Sequence, residues 1–295
     1  MDEKIKDKVW TGILYIISLF VVVLLMSLIG YIFVKGIRYL TLEFLFGSPK
    51  IGEAGGGIGP QLFNSFYMLI IALLITIPLG IGASIYLFEY AKEGKLLNFI
   101  RLCIDTMASL PSIVVGLFGL LVFVKLTGWG FTLLSGALAV SIINLPAFTR
   151  VSESALKSAS VGVKEASLGL GATRFQTIFK VILPSAMPQI LTGVILASGR
   201  IFGEAAALIY TAGMSAPMLS FSPDKLFSSN SPFSLFRPAE TLSVYIWQIN
   251  SEGMVPDASR IGDGSSAVLI LMVLFFNLFA RFIGKKVYQS YTGKK

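Results

Sequence analysis

Residues 65–88 read SFYMLIIALLITIPLGIGASIYLF and contain no Asp, Glu, Lys or Arg. A helix of about 20 apolar residues crosses the roughly 30 Å hydrocarbon core of a bilayer, so this stretch predicts a membrane-spanning helix. Five further stretches have a similar character, namely residues 11–34, 112–127, 131–149, 187–212 and 265–283. The sequence therefore predicts an all-α, polytopic membrane bundle of six transmembrane helices.

The composition supports a membrane protein and argues against a soluble enzyme. Of 295 residues, 55% are hydrophobic and 14% are charged, and the mean hydropathy is +0.79. A soluble domain of this size would expose too much apolar surface. The single cysteine, Cys103, and the lack of histidine argue against a disulfide framework and a His/Cys metal site, so we expect no metal and no cofactor.

We interpret the net charge of +8 as a signal that orients the chain across the membrane, and we expect no nucleic-acid partner. With six crossings, sixteen of the 24 Lys and Arg residues lie on the side of the two termini, seven lie on the other side, and Arg200 lies within a span. Positive residues concentrate on the cytoplasmic side, so both termini are predicted to be cytoplasmic. The first apolar run is too long for a signal peptide, and we expect it to be retained.

The segments between the spans divide the chain further. We assign residues 1–63 to the first helix and an external loop, 64–284 to the main membrane domain, and 285–295 to a cytoplasmic tail. The third span is short, and Gly128-Trp129-Gly130 predicts a tight turn after it. The second external segment lies between the fifth and sixth spans, at residues 214–264. Within it, residues 239–250 predict a short amphipathic helix that lies on the membrane, meets an external partner or caps the bundle.

The loop between the fourth and fifth spans has an unusual pattern, EASLGLG followed by ATRFQTIFK and VILP, over residues 165–184. Gly171 favours the left-handed conformation that ends a helix, and Thr173 favours a helix start. Pro184 is expected to stop the second short helix before the next span. From these features alone, an ordinary polar loop and a docking surface both remain possible.

The spacing in this loop resembles the EAA signature of permeases from ATP-binding-cassette (ABC) importers. Glu165, Ala166, Gly171, Leu183 and Pro184 match the signature in register, whereas Ser167 and Val181 replace the usual Ala and Ile. The resemblance implies a type I importer core and a loop that docks on a separate ATPase subunit. The sequence has no G-x-x-x-x-G-K-[ST] phosphate loop of its own, so we expect a transport subunit and not an enzyme.

Three further stretches resemble phosphate permeases of the PstA type. They are LPSIVVGLFG from residue 110, LPAFTRVSESAL from residue 145 and LTGVILASGRIFGEAAAL from residue 191. This resemblance implies phosphate uptake through the inner membrane, with a PstC-like second permease and an extracytoplasmic phosphate-binding protein as partners. A permease for molybdate or sulfate, and an ATP-independent anion channel or carrier, are the alternatives.

Arg200 and Glu204 are charged residues within an apolar span. A charge at such a depth costs roughly 2.5–3.5 kcal/mol on insertion scales, so neither is expected to face lipid. Their spacing of four predicts one helix face and an ion pair, flanked by Gly199 and Gly203.

Two roles fit these charges, a packing pair or a substrate pathway in which the Arg fork binds an oxyanion. The resemblance to phosphate permeases implies the pathway. Arg150 and Glu153 are candidates for a second polar pair near its exit, although an interfacial position suits them as well.

Overall fold

The computed structural model describes residues 3–50, 52–217, 219, 231–253 and 255–292. These residues form an all-α fold without a β-strand, apart from one isolated bridge between Pro49 and Gly56. In chain order, the α-helices are α1 (Glu3–Gly36), α2 (Leu42–Phe46), α3 (Gly59–Ile85), α4 (Lys95–Ala108), α5 (Ser112–Gly119), α6 (Leu133–Ser160), α7 (Val163–Gly169), α8 (Arg174–Thr177), α9 (Leu183–Gly203), α10 (Ala206–Thr211), α11 (Leu242–Glu252) and α12 (Ala258–Thr292).

Five continuous helical stretches are long and apolar enough to cross a membrane: Glu3–Tyr39, Gly59–Tyr90, Leu133–Ser160, Arg174–Gly203 and Ala258–Lys286. They correspond to the first, second, fourth, fifth and sixth predicted spans. The third corresponds to a helix pair, Lys95–Ala108 and Ser112–Leu126, bent by 99°. The predicted all-α membrane bundle is therefore confirmed, with five candidate spans, or the predicted six if the bent pair is one span.

The bend before the third span was not predicted. Pro111 takes an extended backbone conformation (φ −60°, ψ 135°) and separates α4 from α5. The second arm, Ser112–Leu126, would rise only about 22 Å as an ideal helix, and its last part is a π-helical turn, Leu120–Leu126. Because this arm is short, α5 packs against α6 and α10 inside the bundle.

The centre of the bundle is α6, which packs against α3 on one side and α9 on the other. The ring of Phe148 makes both contacts. A Cβ added to Gly80 of α3 would lie 2.4 Å from Cδ1 of this ring, and one added to Gly193 of α9 would lie 3.3 Å from Cδ2. Two glycines therefore allow one large side chain to fill the space between three helices.

Helix α1 lies apart from this core. Nearly all of its side chains are exposed, and it meets α12 close to Gly36, where an added Cβ would lie 2.3 Å from the Asp263 carbonyl oxygen. Its apolar residues gain nothing from burial within this chain, so lipid or another subunit must cover them.

The opposite end of the bundle from the loop at 161–182 is closed by an outer cap, formed by residues 36–50, 52–64, 231–253 and 255–257. Helix α11 confirms the short helix predicted at 239–250, although it begins at Leu242. Leu242, Val244 and Ile249 are buried against the bundle, because α11 packs on α12 and α3. Of the three positions considered for this helix, the structure supports the cap.

A buried polar network ties the cap to α3. The Arg237 guanidinium donates through Nη2 to Asn64 Oδ1 (2.8 Å) and to the Pro232 carbonyl (2.7 Å). Asn64 Nδ2 donates to the Glu240 carbonyl (2.9 Å), and Gln61 Nε2 donates to Glu240 Oε2 (2.8 Å). Charged side chains are seldom fully buried unless they are paired in this way.

Glu240 lacks a cation as partner among these contacts, and only 3% of its surface is exposed. Burial raises the pKa of its carboxyl to about 7 from an ordinary 4.5. The hydrogen bond from Gln61 opposes this change, whereas the negative charge of Glu252 adds to it. The folded cap therefore holds a proton that the unfolded chain releases.

Protonation of Glu240 in the folded state should make the stability of the folded protein depend on pH. Because the folded-state pKa is raised, the contribution of Glu240 is most favourable below pH 4.5 and declines as the pH rises to about 7. Glu240→Gln should remove that decline, so its melting temperature in detergent should fall less between pH 5 and pH 8 than that of the unaltered protein. Thermal unfolding across this range measures the difference.

Glu53→Gln is the matched control, because Glu53 is an exposed carboxylate in the same cap. It should follow the unaltered protein at every pH. If Glu240→Gln showed the same pH dependence as Glu53→Gln, Glu240 would not hold the proton.

Candidate functional site

The loop between α6 and α9 is an ordered pair of short helices. Gly171 ends the first with φ +85°, a conformation that side chains other than glycine rarely adopt, as the sequence predicted. Thr173 begins the second in a capping box, accepting from the Gln176 N–H while Gln176 accepts from the Thr173 N–H. Ser167 Oγ lies 2.9 Å from Thr177 Oγ1 and joins the two helices.

The prediction that Pro184 stops the second helix is wrong. The chain stays helical from Arg174 to Gly203, with a π-helical turn at Ile178–Ile182 and Pro184 in the first turn of α9. A π turn opens the backbone ladder and accommodates a proline, whose ring would otherwise clash with the carbonyl four residues earlier. Leu183 and Pro184 are half-buried, and Leu183 packs against a core cluster that includes Ile178 and Ile182.

The loop presents an apolar surface to its surroundings. Leu170 is 90% exposed and Phe175 is 62% exposed, and the ring of Phe179 lies beside that of Phe175 at a centroid distance of 4.4 Å, tilted by 36°. Glu165 and Ala166 are exposed on the neighbouring α7. We call Glu165, Ala166, Leu170, Phe175 and Phe179 the loop surface. The sequence analysis missed its aromatic part, although large apolar residues in a loop outside the spans are a usable signal.

Arg150 and Glu153 do not pair with each other, and the predicted second pair is therefore wrong. Arg150 pairs with Asp105 of α4. Glu153 accepts from Arg101 of α4 (2.8 Å) and from Lys157 (2.7 Å). These contacts join α4 to α6 at the loop end of the bundle.

A further ion pair at this end joins α7 to the end of the second span. Lys164 Nζ lies 2.6 Å from Glu89 Oε2, and Glu89 is almost fully buried. Sequence reasoning missed Arg101, Asp105 and Glu89, because their partners are more than 40 positions away and no local pattern identifies them.

The fifth span also departs from the prediction. Helix α9 ends at Gly203, and Glu204 is extended (φ −74°, ψ 120°) before α10 begins at Ala206. The Glu204 carboxylate accepts from the Ala207 N–H (3.1 Å), and its carbonyl accepts from Ser243 Oγ (2.6 Å). Buried Glu204 thus satisfies the first turn of α10 and does not face Arg200 on one helix.

No ion pair to Arg200 is formed by the described residues, so the predicted Arg200–Glu204 pair is absent from them. Arg200 is exposed at one end of an open groove of about 190 Å³ between α6 and α9. The remaining lining residues of this groove are Asn144, Ala147, Phe148, Val151, Gly193, Leu196 and Ala197. A guanidinium with free donors beside apolar walls is suited to an oxyanion.

Gly199 and Gly203 lie next to this groove. A Cβ added at either position would meet no atom within 4 Å. The small face predicted from their spacing is therefore present, but no helix in the described part of the chain covers it. Such a face lets the backbone of another helix approach closely.

The chain has extensive similarity to known transport proteins. Residues 76–292 match the family described as binding-protein-dependent transport system inner membrane component. The chain is 51% identical to the probable ABC transporter permease protein YqgI of Bacillus subtilis, over 99% of both chains. It is 30% identical to the phosphate transport system permease protein PstA of Pasteurella multocida, over 95% of this chain and 94% of the relative.

Solved structures share the fold. A chain of a bacterial alginate ABC transporter, in complex with an alginate-bound periplasmic protein, superposes with a TM-score of 0.63 at 17% identity, covering 97% of this chain and 96% of that one. A chain of the MetNI methionine ABC transporter gives 0.52 at 17% identity, over 80% and 94%. With the family match over most of the sequence, the chain belongs to the binding-protein-dependent transport system inner membrane components, as a multi-pass permease subunit of an ABC importer.

Proposed function

We propose that this permease carries inorganic phosphate as a PstA-type subunit, and the observation that carries the proposal is Arg200. It is a cation without an ion pair among the described residues, at an open groove in the membrane part of the bundle. A charged side chain within the membrane costs free energy unless a ligand pairs with it. Several PstA proteins are similar to this chain over most of its length, which favours phosphate over molybdate or sulfate.

In this proposal the two charged residues of the fifth span have separate roles. Arg200 presents its planar fork of N–H donors to the anion. Glu204 caps α10 and fixes the break that follows Arg200, so it acts by position and does not neutralise the guanidinium. The open face of Gly199 and Gly203 meets a PstC-like second permease, and the pathway runs between the two subunits.

The loop surface docks on the ATPase subunit, of which an importer uses two copies. Apolar side chains that project from an ordered, capped loop suit the centre of a protein interface, where binding energy concentrates. Glu165, Ala166, Ser167 and Gly171 supply the shape of this loop, whereas Leu183 and Pro184 join it to α9. The outer cap faces an extracytoplasmic phosphate-binding protein, and both termini are cytoplasmic.

The test of phosphate transport is Arg200→Met in the assembled transporter. Because no described carboxylate pairs with Arg200, its removal should leave assembly intact. Phosphate uptake should fall roughly ten- to a hundredfold, since a charge-assisted hydrogen bond contributes about 1.5–3 kcal/mol. Arg200→Lys should also transport poorly, because it keeps the charge and loses the fork. Labelled phosphate uptake, normalised to assembled complex, measures both.

Arg38→Met is the control, as it removes an exposed arginine from the outer cap. Glu204→Gln should retain most uptake, because an amide oxygen still accepts from Ala207. Near-normal phosphate uptake by Arg200→Met would remove Arg200 from the pathway, and transport of molybdate or sulfate in place of phosphate would reassign the substrate.

Docking is tested with Leu170→Glu and Phe175→Glu. Each places a charge in an apolar contact, and loss of an interface hot spot of about 2 kcal/mol weakens binding roughly thirtyfold. Co-purification of the ATPase should fall accordingly. Phe46→Glu is the matched control, because Phe46 is 75% exposed on the outer cap. If the loop variants retained the ATPase as well as Phe46→Glu does, the ATPase would bind elsewhere.

Orientation is tested by single cysteines in a protein that lacks Cys103. Ser48→Cys lies in the outer cap and Ser158→Cys lies at the loop end of α6, and both positions are exposed. A membrane-impermeant thiol reagent added to intact cells should label Ser48→Cys only. Labelling of Ser158→Cys alone would invert the proposed topology.

A further inference from the structure

A second groove lies between α9 and α12, away from the Arg200 groove. It has a volume of about 450 Å³ and opens on the outside of the bundle near the loop end. Helices α9 and α12 approach closely at Gly284 of α12, where an added Cβ would lie 2.7 Å from Cδ1 of Leu191 on α9. The lining residues are Pro188, Leu191, Thr192, Ile195, Ala280, Arg281, Gly284 and Lys285.

The groove carries two cations without counter-charge. Arg281 and Lys285 are one helical turn apart on α12, and neither forms an ion pair with a described residue. Several other cations at this end are paired. Arg101, Arg150 and Lys164 each pair with a carboxylate of the chain.

The remaining walls are apolar. Leu191 and Ile195 of α9 and Ala280 of α12 line the groove together with the two cations. Thr192 donates its hydroxyl to the Pro188 carbonyl (3.1 Å) and so adds no free donor for a ligand. The groove therefore joins a basic end to an aliphatic wall, and its two cations lie near the end of the candidate membrane helix Ala258–Lys286.

We propose that this groove binds an anionic phospholipid. Arg281 and Lys285 hold the headgroup phosphate, and one acyl chain lies along Leu191 and Ile195. Basic pockets between transmembrane helices recognise anionic headgroups in this way. A free phosphate ion would leave the aliphatic wall uncovered, and a helix of a neighbouring subunit would bury both cations without neutralising them.

The occupant belongs to the leaflet on the side of the loop, which the proposed orientation places in the cytoplasm. The lipid site itself does not depend on the transported substrate. It would hold α9 against α12 at the end where the loop surface enters the span, and so would support the geometry of the loop.

The experiment is native mass spectrometry of the complete transporter, with phosphatidylglycerol or phosphatidylcholine of identical acyl chains. The unaltered complex should retain phosphatidylglycerol and not phosphatidylcholine. Arg281→Gln with Lys285→Gln should lower the retained phosphatidylglycerol roughly tenfold or more. Arg281→Lys should retain it, because the charge remains.

Lys286→Gln is the matched control. Lys286 is the next residue of α12, lies 4.8 Å above the Phe282 ring and does not line the groove. Equal retention by the double variant and by Lys286→Gln would overturn the proposal. Displacement of the lipid by inorganic phosphate would show a simple anion site, and absence of bound lipid from the complete complex would show that another subunit covers the groove; either result would also overturn it.

Discussion

The ring of Phe148 sets the spacing of the helix bundle. It lies between Gly80 and Gly193, and any side chain at Gly80 would displace it. In a bilayer, helices gain little from burying apolar surface, because lipid is equally apolar, and close packing must hold them together. The same ring lines the Arg200 groove. The contact that joins α3, α6 and α9 therefore also shapes the wall beside Arg200.

Ion pairs connect the centre of the bundle to the loop between α6 and α9. Glu153 accepts from α4 and from its own helix, and Glu89 holds Lys164 at the start of α7. The cations of these pairs are partly exposed, so the individual contributions are modest, although the Glu89 and Glu153 side chains are mostly buried. Their arrangement is informative, because α4, α6 and α7 are each tied to a neighbour. A movement imposed on the loop by a partner would be passed on to the spans.

Much of this fold follows from local sequence. Predominantly apolar runs of sufficient length indicate the spans. Gly171 and Thr173 identify the two short helices of the loop, since a left-handed residue and a helix cap depend on their immediate neighbours. The break at Glu204 could not be found this way. The following residues, AAAL, are strong helix formers, and the break is held by Ser243 from the distant outer cap. The partners of Arg150 and Glu153 could not be predicted for the same reason. They lie on α4, which is distant in the sequence and comes next to α6 only when the chain folds.

The π-helical turn at Ile178–Ile182 gives the chain a local tolerance of changes in length. A π turn holds one residue more than an α-helical path through the same place. Loss of one residue here would leave an α-helical turn and would keep the direction of Phe175 relative to Arg200 nearly unchanged. Loss of one residue from the regular helix between them would instead rotate Phe175 by about 100° about the helix axis. Lineages of this permease should therefore accept a one-residue deletion at 178–182 more readily than in the adjoining α-helix.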